Sequence, residues 1–310
     1  EEAPFAPGYD ADGNQTKIQT STGEWEVSYN ALNQAARFIQ GNRRVECRYD
    51  YLNRRIEKAV YEGEVLMSKK RFIYHGYLQI AELDAADASE SAEPVLRKTY
   101  LWDPLEPVAT RILAMSVFDE TGTYVEDLYY THDALKNTTA LFGIKAGRRA
   151  LYEYGPYGNV LRMEGNAAEI NPFRFSSEYF DEETGLVQYN FRYYNPKDGR
   201  WIGRDLKGED VSLNRYNFAN NAPTLAIDLK GEIIWIPIII AIAVAGESLS
   251  SCSVDSKGVR ACNAASVATA NDKRQPSEVE YCGCICRHKY LSTLIYTGPV
   301  RGNSTKSSSS

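Results

Sequence analysis

Short stretches of the chain alternate apolar and polar residues with a period of two. Trp25, Val27 and Tyr29 interleave with Glu24, Glu26 and Ser28, and Val45, Cys47 and Tyr49 interleave with Glu46, Arg48 and Asp50. Successive side chains of a strand point to opposite faces, so this pattern predicts strands with one face covered and one face wet. Each stretch runs into a polar turn. Tyr9-Asp10-Ala11-Asp12-Gly13-Asn14, Tyr29-Asn30-Ala31-Leu32-Asn33 and Tyr49-Asp50-Tyr51-Leu52-Asn53-Arg54 stand 20 residues apart. Looser copies follow at Tyr130-Thr131-His132-Asp133-Ala134-Leu135-Lys136-Asn137 and Tyr154-Gly155-Pro156-Tyr157-Gly158-Asn159. Asp or Asn opens such a turn by bonding its own backbone, and Gly or Asn accepts the positive φ that closes it. A unit of this length is one β-hairpin, too small to bury its own face, so neighbours must pair. With no long helical period, the expected fold class is all-β, a repetitive antiparallel sheet; an ordinary sandwich with similar turns is the plainer alternative.

Composition changes the picture in one place. Of 310 residues, 43% are hydrophobic and 25% charged, which suits a folded chain, and the net charge of −6 offers nucleic acid or anionic membranes no general attraction. Residues 1–232 carry 27 Lys+Arg against 36 Asp+Glu, whereas residues 233–310 carry 8 against 5. The tail also holds five of the six cysteines, and only three of the 22 tyrosines. Two composition classes meet near residue 232. At the other end, Glu1 stands in place of Met with no charged-then-apolar leader after it, which reads as a mature product or a fragment.

Further motifs follow the repeats: Asn171-Pro172-Phe173-Arg174-Phe175, Tyr179-Phe180-Asp181-Glu182-Glu183-Thr184-Gly185-Leu186, Arg192-Tyr193-Tyr194-Asn195-Pro196-Lys197-Asp198-Gly199-Arg200-Trp201-Ile202 and Asn214-Arg215-Tyr216-Asn217-Phe218. Alternation over Val187, Tyr189, Phe191 and Tyr193 predicts one strand there, with a turn at 195–199. Together with the Tyr-Asp repeats, these motifs resemble bacterial RHS (YD-repeat) proteins and their repeat-associated core domain over about residues 8–231. The resemblance implies a hollow β-shell, of which this sheet is all or part, closed by the core domain around a variable C-terminal segment, often a toxin. The expected organisation is a repeat region at 1–160, a core domain at 161–232 and a Cys-containing effector at 233–310. The implied function is the C-terminal part of a shell protein that encapsulates and delivers that effector in competition between cells. It implies a secreted or cell-surface location, the chain's own tail as cargo, and an immunity protein as a further partner. The alternative is a non-enzymatic surface protein that binds carbohydrate or neighbouring cells.

A tetrapeptide occurs twice, as Asp205-Leu206-Lys207-Gly208 and Asp228-Leu229-Lys230-Gly231, with Asp first and Gly fourth as in a type I turn. In similar core domains two aspartates and an Arg at the corresponding stretches form a self-cleaving aspartic protease. Carried over by position, the pair is Asp205 and Asp228, the supporting guanidinium is Arg200, or with a weaker match Arg204, and the cut falls within Gly231-Glu232-Ile233. Two carboxylates held close share a proton, so one acts as base toward water and the other as acid toward the carbonyl. The sequence departs from the family at Leu206 and Leu229, where the pattern has Pro, and at Glu232, where it has an apolar residue. The other reading is that both aspartates only open turns.

In the tail, residues 233–245 are uninterruptedly apolar. As a helix they would reach about 20 Å, short of the ~30 Å hydrocarbon layer, and Pro237 would break its first turns. They read as β-rich cargo, with membrane contact as the alternative. Cys282, Cys284 and Cys286 share one face of a strand, with His288 in phase; disulfides with Cys252 and Cys262 are expected if the protein is exported, a zinc site is the lesser alternative, and no metal or cofactor is expected. Cys47, in phase with Val45 and Tyr49, reads as a buried thiol. His75 and His132 read as surface residues beside turns. No nuclease, deaminase or ADP-ribosylating constellation is legible in the tail.

Overall fold

A computed structural model describes residues 4–85, 93–105, 111–204, 214–229 and 233–235, and the strands 253–254, 260–261, 281–287 and 294–301. The chain divides into two compact units, Glu1–Pro237 and Ile238–Ser310.

The first unit is built on a 14-stranded antiparallel sheet in which every strand pairs with its neighbours in sequence. Its first seven strands are β1 (Gly8–Tyr9), β2 (Gln15–Thr20), β3 (Gly23–Tyr29), β4 (Ala35–Gln40), β5 (Arg43–Tyr49), β6 (Arg55–Glu62) and β7 (Val65–His75). The rest are β8 (Leu78–Asp84), β9 (Val95–Trp102), β10 (Ile112–Phe118), β11 (Tyr124–His132), β12 (Thr138–Gly143), β13 (Gly147–Tyr154) and β14 (Val160–Glu164). The all-β expectation holds: the described residues contain strands and two short 3-10 turns.

One turn geometry recurs six times. Tyr9 pairs with Gln15, Tyr29 with Ala35, Tyr49 with Arg55, Phe118 with Tyr124, His132 with Thr138 and Tyr154 with Val160, each closing a five-residue loop beside a register shift. The Asp50 carboxylate accepts the N–H of Leu52 (2.9 Å) and of Arg54 (3.0 Å), and Asp10, Asn30, Asp119 and Asp133 repeat that pair of bonds. The fourth loop residue has positive φ in all six copies: Gly13, Asn33, Asn53, Gly122, Lys136 and Gly158. Two details correct the sequence reading. The aromatic position of the fourth expected copy is His132, not Tyr130, and Phe118-Asp119-Glu120-Thr121-Gly122 is a copy hidden by its phenylalanine.

The repeat tyrosines have a definite task. Tyr29 donates its hydroxyl to the Gln15 carbonyl (2.9 Å) and Tyr49 to the Ala35 carbonyl (2.8 Å), so each reaches back to the start of the strand just before its own. Tyr74 to Arg55 (2.9 Å) and Trp102 to Gln79 (2.8 Å) continue the device where the hairpins lengthen.

One face of the sheet is covered by the segment that follows it. This carries a four-stranded sheet of β15 (Tyr179–Asp181), β16 (Leu186–Gln188), β17 (Tyr193–Asn195) and β18 (Arg200–Trp201). The single strand expected over 187–194 is instead two, because Tyr189 N–H bonds to the Arg192 carbonyl (3.0 Å) and folds the chain back. Ile18, Trp25, Val27, Phe38, Val45 and Cys47 pack against Leu186, Tyr193 and Ile202. Further along, Phe72, Tyr100, Ile112, Met115, Leu128 and Leu141 pack against Phe173 and Tyr179. The unit ends with the hairpin β19 (Ile227–Leu229) and β20 (Ile233–Trp235). The second unit contains two hairpins, β21 (Ser253–Val254) with β22 (Arg260–Ala261), and β23 (Tyr281–Arg287) with β24 (Leu294–Arg301).

Candidate functional site

The expected cleavage residues fall around the end of the first unit. Arg200 is exposed on β18, opposite Asn195 and bridged to Asn217, and its N–H bonds the Asp198 carboxylate (3.2 Å). Burial pushes the Asp198 carboxyl up, against the pull of Arg200. Asp228 lies on β19 opposite Ile234, within a strand rather than opening a turn, and Ile233 starts β20 opposite Leu229. Asp205, Gly231 and Glu232 lie outside the described residues. The segment expected to be cut is therefore the connection of a hairpin whose first strand carries Asp228 one residue before its end.

The sequence reading missed a buried charge cluster between the repeat sheet and the core segment. Asp181, at the end of β15, receives Arg55 at 2.5 Å and Lys58 at 2.8 Å. Lys58 also reaches Glu183 at 2.7 Å, and Arg55 donates to the Tyr193 hydroxyl at 3.0 Å. Glu82 on β8 takes Lys70 and Lys98, both at 3.1 Å, and the Tyr179 hydroxyl at 3.0 Å. Burial alone would raise the carboxyls of Asp181 and Glu82, but their paired cations outweigh it and hold both below the usual range. Burial likewise opposes the charge on Lys58, yet Asp181 and Glu183 raise its ammonium. Arg55 stacks over the Phe72 and Tyr179 rings at 5.0 Å. Each carboxylate of the cluster has a cationic partner, so the cluster clamps the core segment to the sheet and offers no nucleophile. Cys47 beside it is a buried free thiol whose pKa burial pushes up, with its sulfur 3.5 Å from the Tyr193 hydroxyl.

A signal for this cluster exists in the register. Val45, Cys47 and Tyr49 face the core, and their partners across β5–β6 are Val60, Lys58 and Arg55. Paired residues share a face, so two cations are forced inward while Ile56 between them points out, 38% exposed. The Asn-Pro-Phe-Arg-Phe motif is equally structural. Asn171 accepts the Tyr130 hydroxyl (2.7 Å) and donates to the Phe173 carbonyl (2.9 Å), while Arg174 donates to the Asn171 carbonyl (3.0 Å) and pairs with Glu182.

Among the described residues, no group of three His, Cys, Asp or Glu side chains is placed to hold a metal ion. Nor is any helix among them long and apolar enough to cross a membrane. Cys252 and Cys262 fall outside the described residues or their described side chains, as do Cys282, Cys284, Cys286 and His288.

A sheet of repeated Tyr/Phe-Asp hairpins, capped on one face by a core segment with these motifs, is the all-β fold that the RHS resemblance implies. The chain is similar in sequence to RHS-type polymorphic toxins and in fold to a toxin-complex component. It is 25% identical over 235 residues to the tRNA3(Ser)-specific nuclease WapA of Bacillus spizizenii, covering 74% of this chain and 9% of that protein. It is 28% identical over 222 residues to toxin protein Tse5 of Pseudomonas aeruginosa, covering 63% of this chain and 16% of that protein. Its fold matches the crystal structure of TcdB2-TccC3 with a TM-score of 0.57 and 21% identity, over 72% of this chain and 11% of that one. No family model matches the chain. The chain thus spans less than a fifth of the length of these relatives.

Proposed function

We propose that this chain is part of a secreted RHS shell protein that encloses a C-terminal effector, residues 233–310, and frees it by aspartic self-cleavage between Gly231 and Ile233. The observation that carries the reading is positional. The composition boundary near residue 232, the expected cut and the connection between β19 and β20 coincide, at the end of a unit whose fold is that of an RHS shell wall. In the proposed chemistry Asp205 and Asp228 share one proton. The ionised carboxylate takes a proton from water as it attacks the scissile carbonyl, and the protonated one donates to the carbonyl oxygen. The resulting diol then collapses, its C–N bond breaking as the newly protonated carboxyl donates to the departing amine and the other carboxylate takes back the hydroxyl proton. Arg200 supplies the positive charge that keeps one carboxylate ionised. The freed segment is the toxin-class cargo, and an immunity protein in the producing cell is its expected partner.

Intact-mass spectrometry of the purified chain tests this. The expected result is two species, residues 1–232 and 233–310 or their neighbours one bond away, with full-length protein restored by Asp205→Asn or Asp228→Asn. Cleavage that persists in both variants rejects the dyad. A single uncut parent chain rejects self-release and leaves a stable surface protein.

A further inference from the structure

A cavity of about 200 Å³ is lined by turn residues of the first three hairpins, by the β16–β17 connection at 189–192 and by residues 202–204. Drug-sized ligands occupy about 300–1,000 Å³, so this space suits one small ring. We infer that it binds a carboxylate-bearing pyranose, a single uronic-acid unit. The inference does not depend on self-release, although Arg204 is also the weaker of the two candidate guanidiniums for the dyad.

Three sets of groups in the wall carry the inference. The first is aromatic surface from Tyr29, Tyr49, Tyr189 and Phe191. Tyr29 and Tyr49 already donate their hydroxyls to the Gln15 and Ala35 carbonyls, so what they offer a ligand is ring. That surface suits the apolar C–H face of a sugar. The second set is amides with a fixed orientation. Asn33 Oδ1 accepts Asn14 Nδ2 at 2.8 Å, and Asn53 Oδ1 accepts Gln34 Nε2 at 3.2 Å, which leaves each Asn its Nδ2 donor. Asn190 Nδ2 donates to the Tyr77 carbonyl at 3.3 Å, which leaves its Oδ1 as an acceptor. Donors and an acceptor in one wall match hydroxyl groups, which need both.

The third set is charge. Arg192 and Arg204 line the cavity, and none of its lining residues is acidic. The Arg192 guanidinium carbon lies 4.2 Å from the centroid of the Trp201 ring. Arg204 Nε is buried and has no hydrogen-bond acceptor among the described residues. A buried guanidinium N–H left unmatched is costly, and a carboxylate is the acceptor whose geometry and charge fit it. A neutral sugar would leave that donor unanswered, and an apolar ligand would leave the amides unanswered as well.

Titration of the full chain with D-glucuronate, D-glucose and acetate, followed by calorimetry and ligand-observed NMR, tests the inference. The cavity is built from residues 14–204, so a cut near 232 leaves it in place. Glucuronate is expected to bind saturably at one site, with glucose and acetate each weaker by about tenfold or more, the effect of one charge-assisted bond. Arg204→Gln is expected to weaken glucuronate by about tenfold or more. Asn53→Gly, which keeps the positive φ of that position while removing its amide, should weaken it as well. If one variant fails to fold, the other decides. Absence of saturable glucuronate binding, acetate binding as tightly as glucuronate, or binding unchanged in the folded variants overturns the inference.

Discussion

Asp181→Asn isolates the joint between sheet and core segment. The substitution keeps the shape of the side chain and removes its charge, leaving Arg55 and Lys58 to share one neutral oxygen in a site where their side chains are 0% and 2% exposed. Removing one partner of a buried ion pair costs about 3–5 kcal/mol, because the stranded cation keeps its desolvation penalty. Glu183, at 2.7 Å from Lys58, softens the loss on that side, while Arg55 retains only the Tyr193 hydroxyl and the ring faces. The lower end, about 3 kcal/mol, is therefore expected, or roughly 6–12 °C in Tm for a unit of this size. Urea unfolding followed by fluorescence measures it, since Trp25 and Trp201 are each 1% exposed in the folded unit. The pH dependence has a definite sign. The folded carboxyl lies below its unfolded value, so its contribution is complete above the unfolded pKa of about 3.9 and is lost as pH falls through the folded value. The margin between parent and variant should thus hold at neutral pH and shrink in acid. A margin under about 1 kcal/mol at pH 7, or one that does not narrow on acidification, refutes the clamp.

Three further outcomes test other parts of the fold. Tyr49→Phe removes the donor to the buried Ala35 carbonyl and should cost about 1–3 kcal/mol by the same urea assay; no loss would show that the repeat hydroxyl is dispensable. Gly158→Ala should cost about 2–4 kcal/mol in thermal melts, because that residue sits at φ +83° and a new Cβ would lie 2.5 Å from the Phe175 ring. The Cys47 thiol, raised by burial, should resist alkylation in the folded chain and react once urea unfolds it, as read on the Cys47 peptide by mass spectrometry; fast labelling of folded protein would contradict its placement.

Much of the sheet was legible because hairpin turns are local. Tyr9, Tyr29 and Tyr49 announced themselves through Asp or Asn and a fourth loop residue able to take positive φ, and a turn of that kind needs no distant partner. Phe118-Asp119 was not legible as a copy because phenylalanine stands where the other copies have tyrosine, although Asp119 and Gly122 carry the same chemistry. The core segment was legible as motifs but not as geometry. Alternation at 187–193 cannot distinguish one strand from two when nearly every residue is covered by something, and the fold-back depends on a single backbone bond from Tyr189 to Arg192. The Arg55–Lys58–Asp181 cluster was hidden for a different reason. Its partners are more than 120 residues apart in sequence, and only the cross-strand register of β5 and β6 betrays that the cations point inward.

That long separation bears on why the core segment exists. A sheet whose strands pair only with sequence neighbours resembles a linear array, in which each hairpin is stabilised by the next and fraying can start at any weak one. The core segment changes this by touching strands far apart along the array. Asn195 bonds the Gln19 carbonyl on β2, Asp181 holds two cations on β6, Tyr179 bonds Glu82 on β8, and Thr138 on β12 donates to the Phe173 carbonyl. Opening any one of those hairpins then exposes part of a shared core and strands a buried partner, so the penalty for local opening rises toward that for opening the whole unit. The motifs that mark the family by sequence are, physically, the cross-ties that make a row of marginal hairpins cooperate.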